Sequence, residues 1–140
     1  MRKSAWGIAV ATLLATGPGV ADQCPKDAME ATATRLKENG AIVAFRTDPG
    51  VIAIGKPFSI EVIACVEGEK RVAPSRIRID AAMPMHGHGM NYLPSERKLG
   101  PGHSAFDGLV FHMPGNWQFT FDVYDGDKRR RLTQKVTIDR

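Results

Sequence analysis

The sequence predicts an all-β antiparallel sandwich with one short N-terminal helix. Three observations carry this. Apolar and polar residues alternate through Phe58, Ile60, Val62, Ala64 and Val66, through Ile77, Ile79 and Ala81, and through Trp117, Phe119, Phe121 and Val123. That is the period of strands with one buried face. Glycine- and proline-rich turn signals separate the runs. The length suits a single domain. Six or seven strands at this spacing predict an immunoglobulin-like sandwich. The likeness is one of architecture only, because the two cysteines lack the spacing around a tryptophan that marks true immunoglobulin domains.

The first residues read as a targeting leader. Arg2 and Lys3 precede an uncharged apolar run from Ala5 to Ala15, Gly17-Pro18 breaks it, and Gly19-Val20-Ala21 supplies small residues for cleavage. Residues 1–21 are therefore expected to be a cleavable signal peptide, and the mature chain is expected in the periplasm or secreted. The apolar run is shorter than the ~20 residues that span a bilayer, so no integral membrane segment is expected after cleavage. No small residue directly precedes Cys24, which speaks against lipoprotein processing. Loss of Arg2 and Lys3 takes the net charge from +4 to +2.

Residues 22–40 read as a helical segment. Pro25 suits a first turn, Asp27 and Glu30 suit the positive end of a helix dipole, and Met29, Ala33 and Leu36 form a thin apolar stripe up to Glu38. Asn39-Gly40 reads as the stop. The sandwich is expected over 41–140. A strand at 41–47 ends at Asp48-Pro49-Gly50, and the Phe58–Val66 and Arg76–Ala81 strands follow. A loop is expected at 94–102, then a strand from Ser104 through Leu109, Phe111 and Met113. The Trp117–Val123 strand reaches a hairpin turn at Tyr124–Asp127, and Leu132, Val136 and Ile138 form the last apolar face.

Cys24 and Cys65 are an even pair in an exported chain and predict a disulfide pinning the N-terminal segment to the outer face of the Phe58–Val66 strand. Copper ligation is the alternative, disfavoured because neither has a histidine or methionine beside it. Lys128-Arg129-Arg130-Arg131 is the one basic run. It reads as a solvated hairpin end, and no nucleic-acid partner is expected of an exported protein.

The densest chemistry lies between positions 83 and 113. All four histidines, His86, His88, His103 and His112, lie there with Met83, Met85, Met90 and Met113. Imidazole and thioether bind copper well in an oxidising compartment, thioether favouring Cu(I). An isolated histidine is more often a hydrogen-bonded structural residue, and methionine often fills core gaps. Met113, alternating with Phe111, reads as core, and Met83 and Met85 fit either role. His86-Gly87-His88-Gly89-Met90 fits no buried apolar role. In an extended chain His86, His88 and Met90 would share one face. A hairpin folded about residue 98 would bring His112 opposite Pro84 and Met90 opposite Phe106, with His103 near Leu93. The expected ligand set is His86, His88 and Met90, completed by His103 or His112. No Gly-x-Ser-x-Gly elbow, His-Glu-x-x-His pair or phosphate loop occurs, so no enzymatic activity is expected.

Three blocks resemble the YtkA-like (FixH-related) family of small exported bacterial domains: Ile54-Gly55-Lys56-Pro57-Phe58, Asp80 to Met90, and Met113-Pro114-Gly115-Asn116-Trp117-Gln118-Phe119. They fall within residues 41–139. The resemblance implies an immunoglobulin-like sandwich and links to copper handling or respiratory-oxidase assembly. FixH-type proteins are membrane-anchored, whereas this chain reads as cleaved free.

The sequence thus predicts a periplasmic copper chaperone or buffer, binding Cu(I) or Cu(II) and serving a copper-receiving protein or respiratory complex. Two alternatives remain. One is a metal-free accessory module docking through the same glycine-rich surface. The other is a small-ligand-binding sandwich whose acidic ligand would meet His88, Arg97 and Lys98.

Overall fold

The computed structural model describes Cys24 and residues 33–139. Its strands are β1 (Thr34–Glu38), β2 (Ala41–Asp48), β3 (Pro57–Val66), β4 (Arg76–Met83), β5 (His88–Gly89), β6 (Ser95–Gly100), β7 (His103–Val110), β8 (Gly115–Asp125) and β9 (Lys128–Ile138). They form two antiparallel sheets, ordered β1-β2-β3-β7-β6 and β5-β4-β8-β9. One core lies between them. Val43 and Phe45 of β2 and Ile60 and Val62 of β3 meet Ile77 and Ile79 of β4 and Phe119, Phe121 and Val123 of β8. Phe45 reaches across to Phe121 with ring centres 4.8 Å apart and to Phe119 at 5.9 Å. Such aromatic pairs add ~0.5–1.5 kcal/mol each beyond the area they bury.

No helix occurs among the described residues. The expected helix is overturned over Thr34–Glu38, which pairs with β2 from Thr34↔Phe45 to Glu38↔Ala41. Asn39 and Gly40 both take positive φ, 53° and 71°. Together they make the two-residue hairpin turn that Asn-Gly favours, because its twist matches the flanking strands. Leu36, counted in a helical stripe, is the one β1 side chain resting on the core. Arg130 Nη1 donates to the Asn39 carbonyl at 3.0 Å, and Asn39 Nδ2 donates to the Arg131 carbonyl at 2.8 Å. The turn thereby ties the first sheet to β9 of the second. The rest of the expected helix, 25–32, and the expected leader, 1–21, lie outside the described residues.

Cys24 and Cys65 are joined by a disulfide with Cα atoms 5.7 Å apart. Cys65 is buried, but on the face of β3 away from the main core, where Ile63 packs with Ala44 and Ala33 in a small second cluster.

A second correction concerns residues 94–102, expected as a loop. Ser95–Gly100 is strand β6, paired with β7 from Ser95↔Asp107 to Gly100↔His103. All six of its residues are exposed, so it is an edge strand with no apolar alternation to announce it. Between β6 and β7, Gly102 (φ 64°) accepts the Ala64 N–H at 2.8 Å. A Cβ on Gly102 would lie 2.5 Å from the Ala64 carbonyl oxygen, so only glycine fits.

Candidate metal centre

The His-Met segment folds as a tight hairpin where an extended chain was expected. His86 N–H donates to the Met83 carbonyl at 3.0 Å, closing a turn through Pro84 and Met85. Pro84 presets φ at the second position. Asn39 is the one described non-glycine residue with positive φ, so Met85 does not take the left-handed conformation of a type II turn. Gly87 (φ 63°) reverses the chain, and His88 returns opposite Met83. His86 thus sits in the turn and His88 on β5, with ring centres 6.4 Å apart and planes 28° from parallel.

The hairpin sorts the methionines. Met83 is 2% exposed and belongs to the core, whereas Met85 is 86% exposed at the tip. Met90 N–H donates to the Ala81 carbonyl at 3.1 Å, and its side chain rests partly buried against the core. Met90 therefore does not continue the histidine face as expected. Met113 also packs partly buried against the core, in keeping with its alternation with Phe111.

His112 arrives by a different route from the one expected. The assumed fold about residue 98 does not occur, because β7 pairs with β6 and β3 while β4 pairs with β8 and β5. Phe106 lies opposite Glu96 and Ile60, not Met90. His112 instead sits in the crossover from β7 to β8, which passes from one sheet to the other. That crossover is held firmly. The Phe111 carbonyl accepts the Gly55 N–H at 2.8 Å, the Phe111 ring stacks on Trp117 at 4.4 Å, and Trp117 Nε1 donates to the Met113 carbonyl at 3.1 Å. So fixed, the His112 ring lies edge-on to Trp117 at 5.4 Å and edge-on to His88 at 6.4 Å. Three histidines from two elements thus gather at one end of the molecule, His88 between the others.

Among the described residues, no group of three His, Cys, Asp or Glu side chains is close enough to hold an ion as it stands. Two imidazoles sharing one ion at ~2 Å from each nitrogen have ring centres roughly 5–6.5 Å apart. The 6.4 Å spacings sit at the wide end of that range. At that spacing the rings would have to turn or move toward one another for two of them to share an ion. The hairpin leaves room, since His86 and His88 are exposed and nothing lies within 4 Å of a Cβ placed on Gly87.

His103, expected as a further ligand, lies elsewhere. It is the first residue of β7, opposite Ile63 of β3, and its Nε2 donates to Glu61 Oε1 at 2.7 Å. Arg46 Nε donates to Glu61 Oε2 at 2.8 Å. Burial pushes the Glu61 carboxyl up, but the hydrogen bonds from His103 and Arg46 outweigh it and hold it below the usual carboxylate range. Beside this trio, Ser59 Oγ donates to Asp107 at 2.7 Å and Arg97 to the same carboxylate at 3.3 Å. The Ser59 hydrogen bond, then that from Arg97, lowers the Asp107 carboxyl. These pairs neutralise one another on the outer face of the first sheet. Reading Glu61 as a residue of the polar face of its strand was within reach of the sequence, but its pairing with His103 needed the β3–β7 register.

The basic run is likewise engaged. Arg131 makes two hydrogen bonds to Asp122, at 2.7 and 2.8 Å, and Lys128 lies opposite Asp125. A cleft of about 680 Å³ lies along β9, at the opposite edge of its sheet from β5, lined by Phe45, Ile52, Ile54 and Val136 among others. No helix among the described residues is long and apolar enough to cross a membrane.

No protein-family profile and no curated protein sequence matches the chain. Among solved structures it is similar to a DUF4426 family protein from Pseudomonas aeruginosa PAO1. The likeness covers 76% of this chain and 94% of that one at 12% identity, with a TM-score of 0.51. At that identity it speaks for the β-fold alone.

Proposed function

We propose that this chain is an exported copper-binding protein, a chaperone or buffer, whose site is the β4–β5 hairpin together with the β7–β8 crossover. One observation carries the reading: the rings of His86 and His112 each lie 6.4 Å from that of His88. Two of these histidines, His86 and His88, are exposed on the β4–β5 hairpin and neither belongs to the core. His86, His88 and His112 are the proposed imidazole donors that hold the ion. His103 and Met90 are left out, the first because Glu61 holds it, the second because it packs inward.

The strand order supports the immunoglobulin-like reading. With β1 set aside, β2-β3-β7-β6 facing β5-β4-β8-β9 follows the A-B-E-D and C-F-G sheets of that fold, with β5 as a short added edge strand. The blocks around Pro57, His86 and Trp117 that resemble the YtkA-like family add to this reading. They point to a copper-receiving protein or respiratory complex as the recipient. Processing after Ala21 and release to the periplasm complete it.

Met85, 86% exposed at the hairpin tip, favours a second reading, a metal-free module docking through this end. A competition titration against a Cu(I) chelator separates the two. His86→Ala with His88→Ala is expected to abolish tight binding, and His112→Ala to weaken it. Copper at His112 is also expected to quench Trp117 fluorescence. Equal copper affinity for wild type and the double variant leaves the docking module as the better account.

A further inference from the structure

We infer that the Met85 thioether is where Cu(I) is taken up and given away, and that the histidines behind it hold the ion. The inference rests on the copper reading above. Met85 stands in the turn closed by Met83 and His86, immediately before His86, and is 86% exposed. The other methionines of the segment are committed to the fold. The Met83 methyl fills the space that a Cβ on Gly115 would take, at 2.6 Å, while Met90 and Met113 rest against the core. An apolar side chain held in water at a turn forgoes the burial that its three relatives obtain.

Its chemistry suits the role. The thioether is soft and selects Cu(I), and its chain has three rotatable bonds with which to reach a donor and swing back. It carries no proton, so it binds without deprotonation, whereas an imidazole must first be neutral. The step is a ligand substitution. A Cu–S bond to Met85 forms as one bond to the donor breaks, Cu–N bonds to the histidines then replace the remaining donor bonds, and the Cu–S bond breaks as the last Cu–N bond forms, which frees Met85. The copper stays Cu(I), and no electron is exchanged. Release to a recipient with thioether or imidazole donors is the same sequence reversed.

The test measures rate and affinity separately on the full mature chain, with the Cu(I)–bicinchoninate complex as the copper source. Transfer is followed by loss of chelator absorbance, and affinity by the equilibrium competition. Met85→Leu keeps size and hydrophobicity but removes the sulfur, and Met85→Ala removes the side chain. Both are expected to slow transfer about tenfold while changing the dissociation constant by less than about threefold. Two results overturn the inference and leave the copper reading intact. One is unchanged transfer rates in both variants. The other is an affinity loss as large as that of His86→Ala with His88→Ala, which makes Met85 a resident ligand. Wild type that fails to take copper from the chelator at all overturns both.

Discussion

Replacing Cys24 and Cys65 together by alanine removes the covalent tie between the N-terminal segment and the outer face of β3. The bridge spans a sequence separation of 41. On the chain-entropy account, closing a loop of that length destabilises the unfolded ensemble by about 4 kcal/mol at 25 °C. Residual structure in the unfolded chain reduces the effect, so a loss of roughly 3–4 kcal/mol is expected. For a domain of this size that corresponds to a fall in melting temperature of roughly 10–25 °C. Cys65 is buried beside Ile63, and alanine there avoids placing an unsatisfied hydroxyl in the cluster. Urea unfolding of the oxidised wild type, the reduced wild type and the double variant measures the difference. Reduced wild type and variant should agree. A difference below about 1 kcal/mol between oxidised and reduced wild type refutes the account of the bridge as a constraint on the unfolded state. Copper affinity is expected to survive the double substitution, and its loss with folding intact would identify the cysteines as ligands.

Gly102→Ala is expected to cost about 2–4 kcal/mol, since it adds strain at positive φ to a clash with the Ala64 carbonyl; urea denaturation reads it directly. Glu61 is held below its unfolded value by His103 and Arg46. Its stabilising share is present above the unfolded value near 4.5 and is lost as pH falls through the lower folded value. Glu61→Gln should therefore flatten the acid limb of the stability–pH curve, and an unchanged limb would argue against the pairing. His103→Ala is expected to leave Cu(I) affinity within about twofold of wild type while lowering stability, so an affinity loss like that of the hairpin histidines would return it to the ligand set.

The strands with one buried face were legible because their alternation is dictated by the core: Phe58 to Val66 and Trp117 to Val123 fall where their pattern puts them. The two strands that were missed lack that dictate. β6 is exposed on both faces, and β1 offers one apolar contact, Leu36, which fits a helical stripe as well as a strand. Asn39-Gly40 carried the missing information, being a hairpin signal as well as a helix stop. At the histidine cluster, the concentration of residue types was legible in the sequence and their geometry was not. His86 and His88 are neighbours across a turn instead of along a strand, and His112 joins them over a sheet-to-sheet crossover. Local spacing specifies neither arrangement, since both depend on which strands pair.

The hairpin from Pro84 to Gly89 is exposed throughout, bounded by Met83 and Met90, whose side chains turn back toward the core. On the copper reading, ligand chemistry and foldability would thereby fall to almost disjoint sets of residues. On that reading, changes at Met85, His86 and His88 would alter which ion is bound, or how fast, with little cost to the fold, whereas Pro84 and Gly87 shape the turn itself, and the loop would be transplantable to another sandwich with a two-strand edge of the same register. His112 is the exception. It shares an edge with the buried Trp117, so it is the position where drift in metal preference would be felt by the fold, and the one that a transplanted loop would leave behind.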